Sequence, residues 1–208
     1  MKILICDDHK IVRDGLRQIL QQLKGVTAIG EAGSGEEALS LLKSEAFDVM
    51  LLDISLPDRN GLEVLQLVKE KWPATRILML SMLPQDQYAV RALKLGAMGY
   101  LTKDTDAEEL LMAVIRVAEG GRYLTTSVAE TLADNLDRKA NRQKHDILSD
   151  REFEIMIKLA GGKSLQEIGD ELCIAKNTVS TYRNRIMEKM DLTRNTELTR
   201  YCIENKLI

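Results

Sequence analysis

No run of about 18 consecutive apolar residues occurs in the chain, so no segment reads as a membrane-crossing helix. The opening apolar stretch is broken at once by Asp7, Asp8 and His9, which excludes the uninterrupted core of a secretory signal. Cysteine is scarce. Cys6, Cys173 and Cys202 are odd in number, lack metal-ligand spacing and sit among apolar neighbours. They read as small buried hydrophobes in a reducing, cytoplasmic setting, not as a disulfide framework or zinc module. An excess of charge of one sign is also missing. The net charge of −3 excludes a uniformly basic surface. The distribution is uneven, however: residues 1–120 carry 14 Lys+Arg against 18 Asp+Glu, and residues 121–208 carry 15 against 14. What remains is an ordinary globular composition, 45% apolar and 29% charged, over 208 residues, enough for one large domain or two small ones.

The first half alternates strand-like and helix-like segments. Lys2–Cys6 reads as a strand, and residues 12, 16, 19, 20 and 23 form a helical stripe. A second strand follows at Val26–Ala32, and Ser34 with Glu37 makes a capping box for the next helix. VMLLD (49–53), RILMLS (76–81) and GYLTK (99–103) are further strands, separated by helices over Gly61–Lys71, Gln85–Lys94 and Asp106–Glu119. Strands that are apolar throughout, alternating with helices, imply an α/β doubly wound, five-stranded parallel sheet covered on both faces. Ligands of such sheets bind beyond the carboxyl ends of the strands. At those ends stand Asp7 and Asp8, Asp53, Ser81 and Lys103. Adjacent carboxylates resist ionising together unless a cation neutralises them. Carboxylate oxygens with room for water suit Mg²⁺.

DDH at 7–9, VMLLD at 49–53, SLPDRNG at 55–61, Ser81 and YLTK at 100–103 resemble the receiver domain of two-component response regulators, a flavodoxin-like fold, over residues 1–120. The resemblance implies that Asp53 accepts a phosphoryl group from a sensor histidine kinase. It implies that Asp8, Asp53 and the backbone carbonyl of Ser55 hold Mg²⁺, with Asp7 acting through water. It further implies that Lys103 and Ser81 engage the phosphoryl oxygens and that Ser81 and Tyr100 form the switch. Lys10 stands where many relatives have proline, which removes only a favoured helix start. Asp104 replaces a frequent proline after Lys103, and the sequence leaves the isomer of that peptide bond open. His9 reads as a solvated helix-start residue and not as a phosphate carrier.

Residues 121–145 read as a linker with a short helix at 127–136, capped by Ser127 and Glu130, fading into the polar run DRKANRQKHD. Order resumes at residues 146–208. Capping boxes at Ser149/Glu152 and Ser164/Glu167 start two helices, and a short turn leads to NTVSTYRNRIMEKM (177–190). That arrangement is an all-α helix-turn-helix. On the third helix Val179, Ile186 and Met190 form a packed stripe, and Asn177, Thr181, Asn184 and Glu188 line the opposite face beside Ser180. Asn184 suits adenine, and Ser180 and Thr181 are adaptable base readers. Lys176, Arg183, Arg185 and Lys189 supply basic flanks for phosphates. LSDRE, LAGGKS, EIGDEL and NTVSTYRNRIMEKM resemble the DNA-binding domain of the LuxR/NarL/FixJ class. By that resemblance Ser180, Thr181 and Asn184 read bases. Relatives have Ser or Thr at the position of Ala175, so a helix cap worth about 1 kcal/mol is missing here. The last helix puts Leu198, Tyr201 and Cys202 on one face, which serves either the domain core or, as in relatives, pairing of two copies on DNA.

Together these features imply a phosphorylation-activated DNA-binding transcriptional regulator, a homodimer when phosphorylated, and not an enzyme beyond its own phosphorylation and dephosphorylation. The alternative is a phospho-independent regulator whose receiver serves only in dimerisation. A phosphatase with an aspartyl-phosphate intermediate would need an acid two residues after Asp53, where Ser55 stands.

Overall fold

The structure is a computed structural model that describes residues 1–82, 85–137, 143–205 and 207–208. The chain divides into two compact units, Met1–Leu136 and Asp137–Ile208.

In the first unit five parallel strands, β1 (Lys2–Cys6), β2 (Ala28–Ala32), β3 (Val49–Leu52), β4 (Arg76–Ser81) and β5 (Gly99–Thr102), lie in the order β2-β1-β3-β4-β5. The strands are linked by α1 (Lys10–Leu20), α2 (Gly35–Ser44), α3 (Gly61–Lys71) and α4 (Gln85–Lys94), and α5 (Ala107–Ala118) follows β5. Alternate residues of the apolar strands face opposite sides of the sheet. Ile3, Ile5, Val49, Leu51, Leu78, Leu80 and Leu101 join Leu16 and Leu20 of α1 and Leu110, Val114 and Val117 of α5 in one core layer. Leu4, Met50, Leu52, Ile77, Met79 and Tyr100 are equally buried on the other face. The strand order reverses at β1, whose two neighbours are β2 and β3, so a crevice opens at the carboxyl ends of β1 and β3. Cys6 pairs with Leu52, and the following residues, Asp7 and Asp53, therefore emerge side by side. Ser81 pairs with Thr102, which carries Lys103 to the same rim.

Helix α6 (Thr126–Asp137) is capped differently from the sequence expectation. Thr125, not Ser127, holds its start, with Oγ1 accepting from the Val128 N–H at 3.3 Å. Either hydroxyl residue is chemically competent, and the helix begins one residue earlier than the apolar stripe indicates. Much of the polar run, residues 138–142, lies outside the described residues.

The second unit holds a short 3₁₀ turn (Lys144–Ile147) and helices α7 (Asp150–Ala160), α8 (Leu165–Glu171), α9 (Lys176–Met190) and α10 (Asn195–Glu204). Both expected capping boxes form, at Ser149/Glu152 and Ser164/Glu167. The turn from α8 to α9 requires glycine at 169: a Cβ there would lie 2.7 Å from the Ile174 carbonyl oxygen, whose own N–H bonds Gly169 O at 2.9 Å. Cys173 occupies the same turn with φ +51° and is exposed, whereas Cys6 and Cys202 are buried as expected. The turn puts Cys173 outside the apolar stripe that its neighbours suggest.

Candidate functional site

The β1–α1 loop begins where Asp7 leaves the sheet, its N–H bonded to Ala32 O at 3.1 Å. Asp7 is buried, and Asp8 and His9 face solvent. Asp53 is only 3% exposed, and its N–H bonds Cys6 O at 2.9 Å. From β5 the Lys103 side chain reaches across and places Nζ 2.6 Å from Asp7 Oδ2 and 2.7 Å from Asp53 Oδ2. One ammonium is thus shared by two buried carboxylates. The second oxygen of Asp53, Oδ1, is buried and has no hydrogen-bond partner among the described residues. Burial pushes the Asp53 carboxyl above its ordinary value. Lys103 pulls it back and Asp7 pushes it further up. For Lys103 burial opposes the charge, but Asp53 and Asp7 together outweigh it and hold the ammonium above its usual range.

Asp8 adds a carboxylate at the mouth of the crevice, its Oδ1 2.6 Å from His9 Nδ1. Ligand atoms of Asp7, Asp8 and His9 fall within 4.8 Å of one another. His9 is the N-cap residue of α1 and makes no side-chain cap bond, as a solvated helix-start residue should. Ser81 is fully buried at the end of β4, and Lys103 N donates to its carbonyl at 3.0 Å. Tyr100 is fully buried although β5 is an edge strand of the sheet. Ser55 is partly buried and bridges to Asn60. The Lys103–Asp104 peptide is trans.

The loop after β3 is held by residues of the SLPDRNG stretch to which the sequence assigns no individual role. Asn60 caps α3 through Leu62 N at 2.8 Å. Gly61 N donates to Ile54 O at 2.7 Å, an approach so close that a Cβ on Gly61 would collide with the Asp53 carbonyl oxygen. Asp58 accepts from Gly35 N and Glu36 N at 2.9 and 2.8 Å, tying the loop to the start of α2. Arg13 was missed as well. Its Nη1 donates to the carbonyls of Asp7 at 2.7 Å and Asp8 at 3.2 Å, and its Nε faces Glu31 Oε2 at 3.5 Å. The signal was a cation one helical turn into α1, where the helix start returns to the strand end.

Asp7, Asp8 and Asp53 are hard oxygen donors, with one ammonium between two of them and one buried oxygen unpartnered. That donor set fits a hard divalent cation such as Mg²⁺.

In the second unit Lys176, Asn177, Thr181, Asn184, Arg185 and Lys189 of α9 are exposed, and Ser180 and Arg183 are partly so. Val179, Ile186, Met187 and Met190 are buried. A shallow groove is lined by Asn177, Thr178, Thr181, Tyr182 and Arg185, two of which, Thr178 and Tyr182, were not singled out from the sequence. Thr181 Oγ1 bonds Asn177 O at 3.0 Å, and Arg183 reaches Asn195 Oδ1 at 2.8 Å. Ala175 is the N-cap residue of α9 and makes no side-chain cap bond, as the sequence leads one to expect. On α10 Leu198 and Cys202 are buried, and Tyr201 Oη lies 2.9 Å from His145 Nδ1. That face therefore belongs to the core of this unit, and Ile203, 59% exposed, projects from another side.

Comparison with known proteins adds the following. Residues 3–115 match the response regulator receiver domain, and residues 146–202 match the luxR family of bacterial regulatory proteins. The chain is 32% identical to the response regulator GacA of Pseudomonas syringae pv. syringae, over all of this chain and 98% of GacA. It is also 32% identical to the response regulator UvrY of Escherichia coli, over all of this chain and 95% of UvrY. A solved structure of RcsB from Salmonella enterica serovar Typhimurium, bound to promoter rprA in the presence of the phosphomimetic BeF₃⁻, is similar with a TM-score of 0.59. It shares 25% identity, with 97% of each chain covered.

Proposed function

Because the chain belongs to the NarL/FixJ family of two-component response regulators, we propose that Asp53 accepts a phosphoryl group from the phosphohistidine of a sensor histidine kinase, and that phosphorylation controls DNA binding by the second unit. The observation that carries this reading is the Asp53 carboxylate itself, with one oxygen on the Lys103 ammonium that it shares with Asp7 and the other buried with no close partner among the described residues. In the proposed step Asp53 Oδ1 attacks phosphorus, the P–N bond breaks, and its electron pair leaves with the imidazole nitrogen, giving an acyl phosphate. Lys103 holds phosphoryl charge, and the Ser81 hydroxyl donates to a phosphoryl oxygen. Asp8, Asp53 and the Ser55 carbonyl would hold Mg²⁺, with Asp7 acting through water. When bound, the ion supplies neutralisation of the phosphoryl oxygens. The buried setting of Ser81 and Tyr100 supports them as the two-state element that reports the new charge.

On the DNA side, α9 enters a major groove. Asn177, Ser180, Thr181 and Asn184 face base edges, and Lys176, Arg183 and Arg185 face phosphates. The phosphorylated protein acts as a cytoplasmic homodimer on two half-sites, and it regulates without turning over a substrate of its own.

Incubation with acetyl phosphate and Mg²⁺, read by intact mass, tests the assignment. Wild type gains a phosphoryl adduct and Asp53→Asn does not. Equal labelling of both would overturn the reading. A second reading, a phospho-independent regulator whose receiver only dimerises, is favoured by the exposed Met112 and Ile115 on α5. Equal operator affinity with and without phosphorylation, at one salt concentration, would establish it.

A further inference from the structure

Lys189 lies on the last turn of α9, and its charge is already engaged. Nζ stands 2.7 Å from Oε2 of Glu152, a carboxylate with only 3% of its surface exposed. The same Oε2 accepts from the Ser149 N–H at 2.8 Å, so one oxygen closes the capping box of α7 and receives the ammonium of α9. Helical geometry permits the contact. At 100° per residue Lys189 lies about 60° from the buried Ile186 and about 40° from Arg185, at the border of the packed and polar faces, and the bond to Glu152 is what turns its charged end toward α7. The neighbouring residue repeats the device. Arg151 pairs with Glu154 at 2.9 Å and donates through Nη2 to Leu172 O at 3.1 Å, at the end of α8. Two consecutive residues of the first turn of α7 thus hold the carboxyl ends of both helices of the helix-turn-helix.

We propose that Glu152 and Lys189 are a positioning pair that sets the recognition helix against α7, and that Lys189 does not contact a DNA phosphate. This rests on the DNA-binding reading above and divides its basic residues into two kinds. Arg183, Arg185 and Lys176 contribute counterion release. Lys189 contributes geometry.

Salt dependence separates the two. Each phosphate neutralised adds about 0.9 to the slope of log K against log salt. The probe is a fluorescein-labelled duplex of about 30 base pairs, enriched from random sequence on the wild-type full-length chain and followed by anisotropy across a salt series. Lys189→Met and Glu152→Gln are expected to weaken binding to a similar extent, about tenfold, with the slope unchanged. The double variant should be no weaker than either single one, because both changes remove the same contact. Lys189→Arg keeps the pair and should restore affinity, which separates loss of position from loss of fold. Lys176→Met provides the reference, lowering the slope by about one. A slope reduced by about 0.9 in Lys189→Met but not in Glu152→Gln would overturn the inference alone. Single variants that bind like wild type would also overturn it. Failure of wild type to bind any enriched duplex would remove the DNA reading and this inference together.

Discussion

Each unit buries a carboxylate against a lysine, and the two are finished differently. Glu152 is satisfied: its Oε2 takes a backbone N–H and an ammonium, and although burial alone would raise its pKa, these bonds hold it below the usual carboxylate value. Asp53 is less well satisfied: its ammonium is shared with Asp7, Oδ1 has no close hydrogen-bond partner among the described residues, and burial pushes its pKa up although Lys103 and the Ser55 backbone N–H pull it back. A buried carboxylate normally collects its full complement of bonds. The one that lacks it is the one that sequence and family point to as the phosphoacceptor. Of these two, the carboxylate with the fuller set of bonds is the brace, and the one with the poorer set is the proposed phosphoacceptor.

The largest effect that tests this contrast is removal of the shared cation. Lys103→Met leaves two buried carboxylates facing each other and should cost about 3–5 kcal/mol, read by urea unfolding without Mg²⁺. Asp53→Asn should go the other way and raise the unfolding midpoint, because it leaves Lys103 and Asp7 as a neutral pair. A loss in Asp53→Asn comparable to that in Lys103→Met would show that the Asp53 site is as well satisfied as Glu152, and the contrast would fail. Next in size is Gly61→Ala. Its Cβ runs into the Asp53 carbonyl, so the loop must shift at a cost of about 1–3 kcal/mol. Phosphorylation by acetyl phosphate should fall with it, and an unchanged rate would show that the loop is free to move.

The satisfied carboxylate carries its own pH signature. The folded pKa of Glu152 lies below its ordinary value of 4.5. Its contribution is therefore fully present above pH 4.5 and is lost as pH falls through the folded value. Glu152→Gln should lower stability at neutral pH and flatten the acid limb of the melting curve. An acid limb identical to wild type would show that Lys189 and Ser149 do not favour the ionised form.

Much of this was legible because it is written in local pattern. Apolar runs that stop at Asp7, Asp53, Ser81 and Lys103 mark strand ends, and a parallel sheet brings such ends to one rim. The capping boxes at Ser149 and Ser164 are equally local, whereas at Ser34 only half of the expected box forms: Ser34 accepts from Glu37 N, but Glu37 Oε2 accepts from Gly33 N. What escaped depends on tertiary approach. Asp58 finds the start of α2 more than twenty positions back in the chain, and Glu152 finds Lys189 from 37 positions away. Nothing in either stretch announces its partner. Periodicity grouped Leu198, Tyr201 and Cys202 correctly, but it does not say whether an apolar face meets its own core or a second copy. Packing against His145 and the core decides that.

The smallest effect extends the contrast along α9 itself. The carboxyl end of this helix is braced by Glu152, and its amino end is bare: Ala175 is the N-cap, with φ −63° and ψ 143° and no side-chain bond. Those dihedrals are the extended ones in which a serine hydroxyl reaches the N–H two or three residues on. Ala175→Ser should therefore stabilise the second unit by about 0.5–1 kcal/mol, a rise of a few degrees in Tm. The added hydroxyl meets only one of the orphan N–H groups at that end, so the rest stay available to a phosphate. DNA affinity should then hold or rise while the melting point climbs. An unchanged Tm would mean that the amino end is already satisfied, and that α9 is finished at both ends in the way Glu152 is.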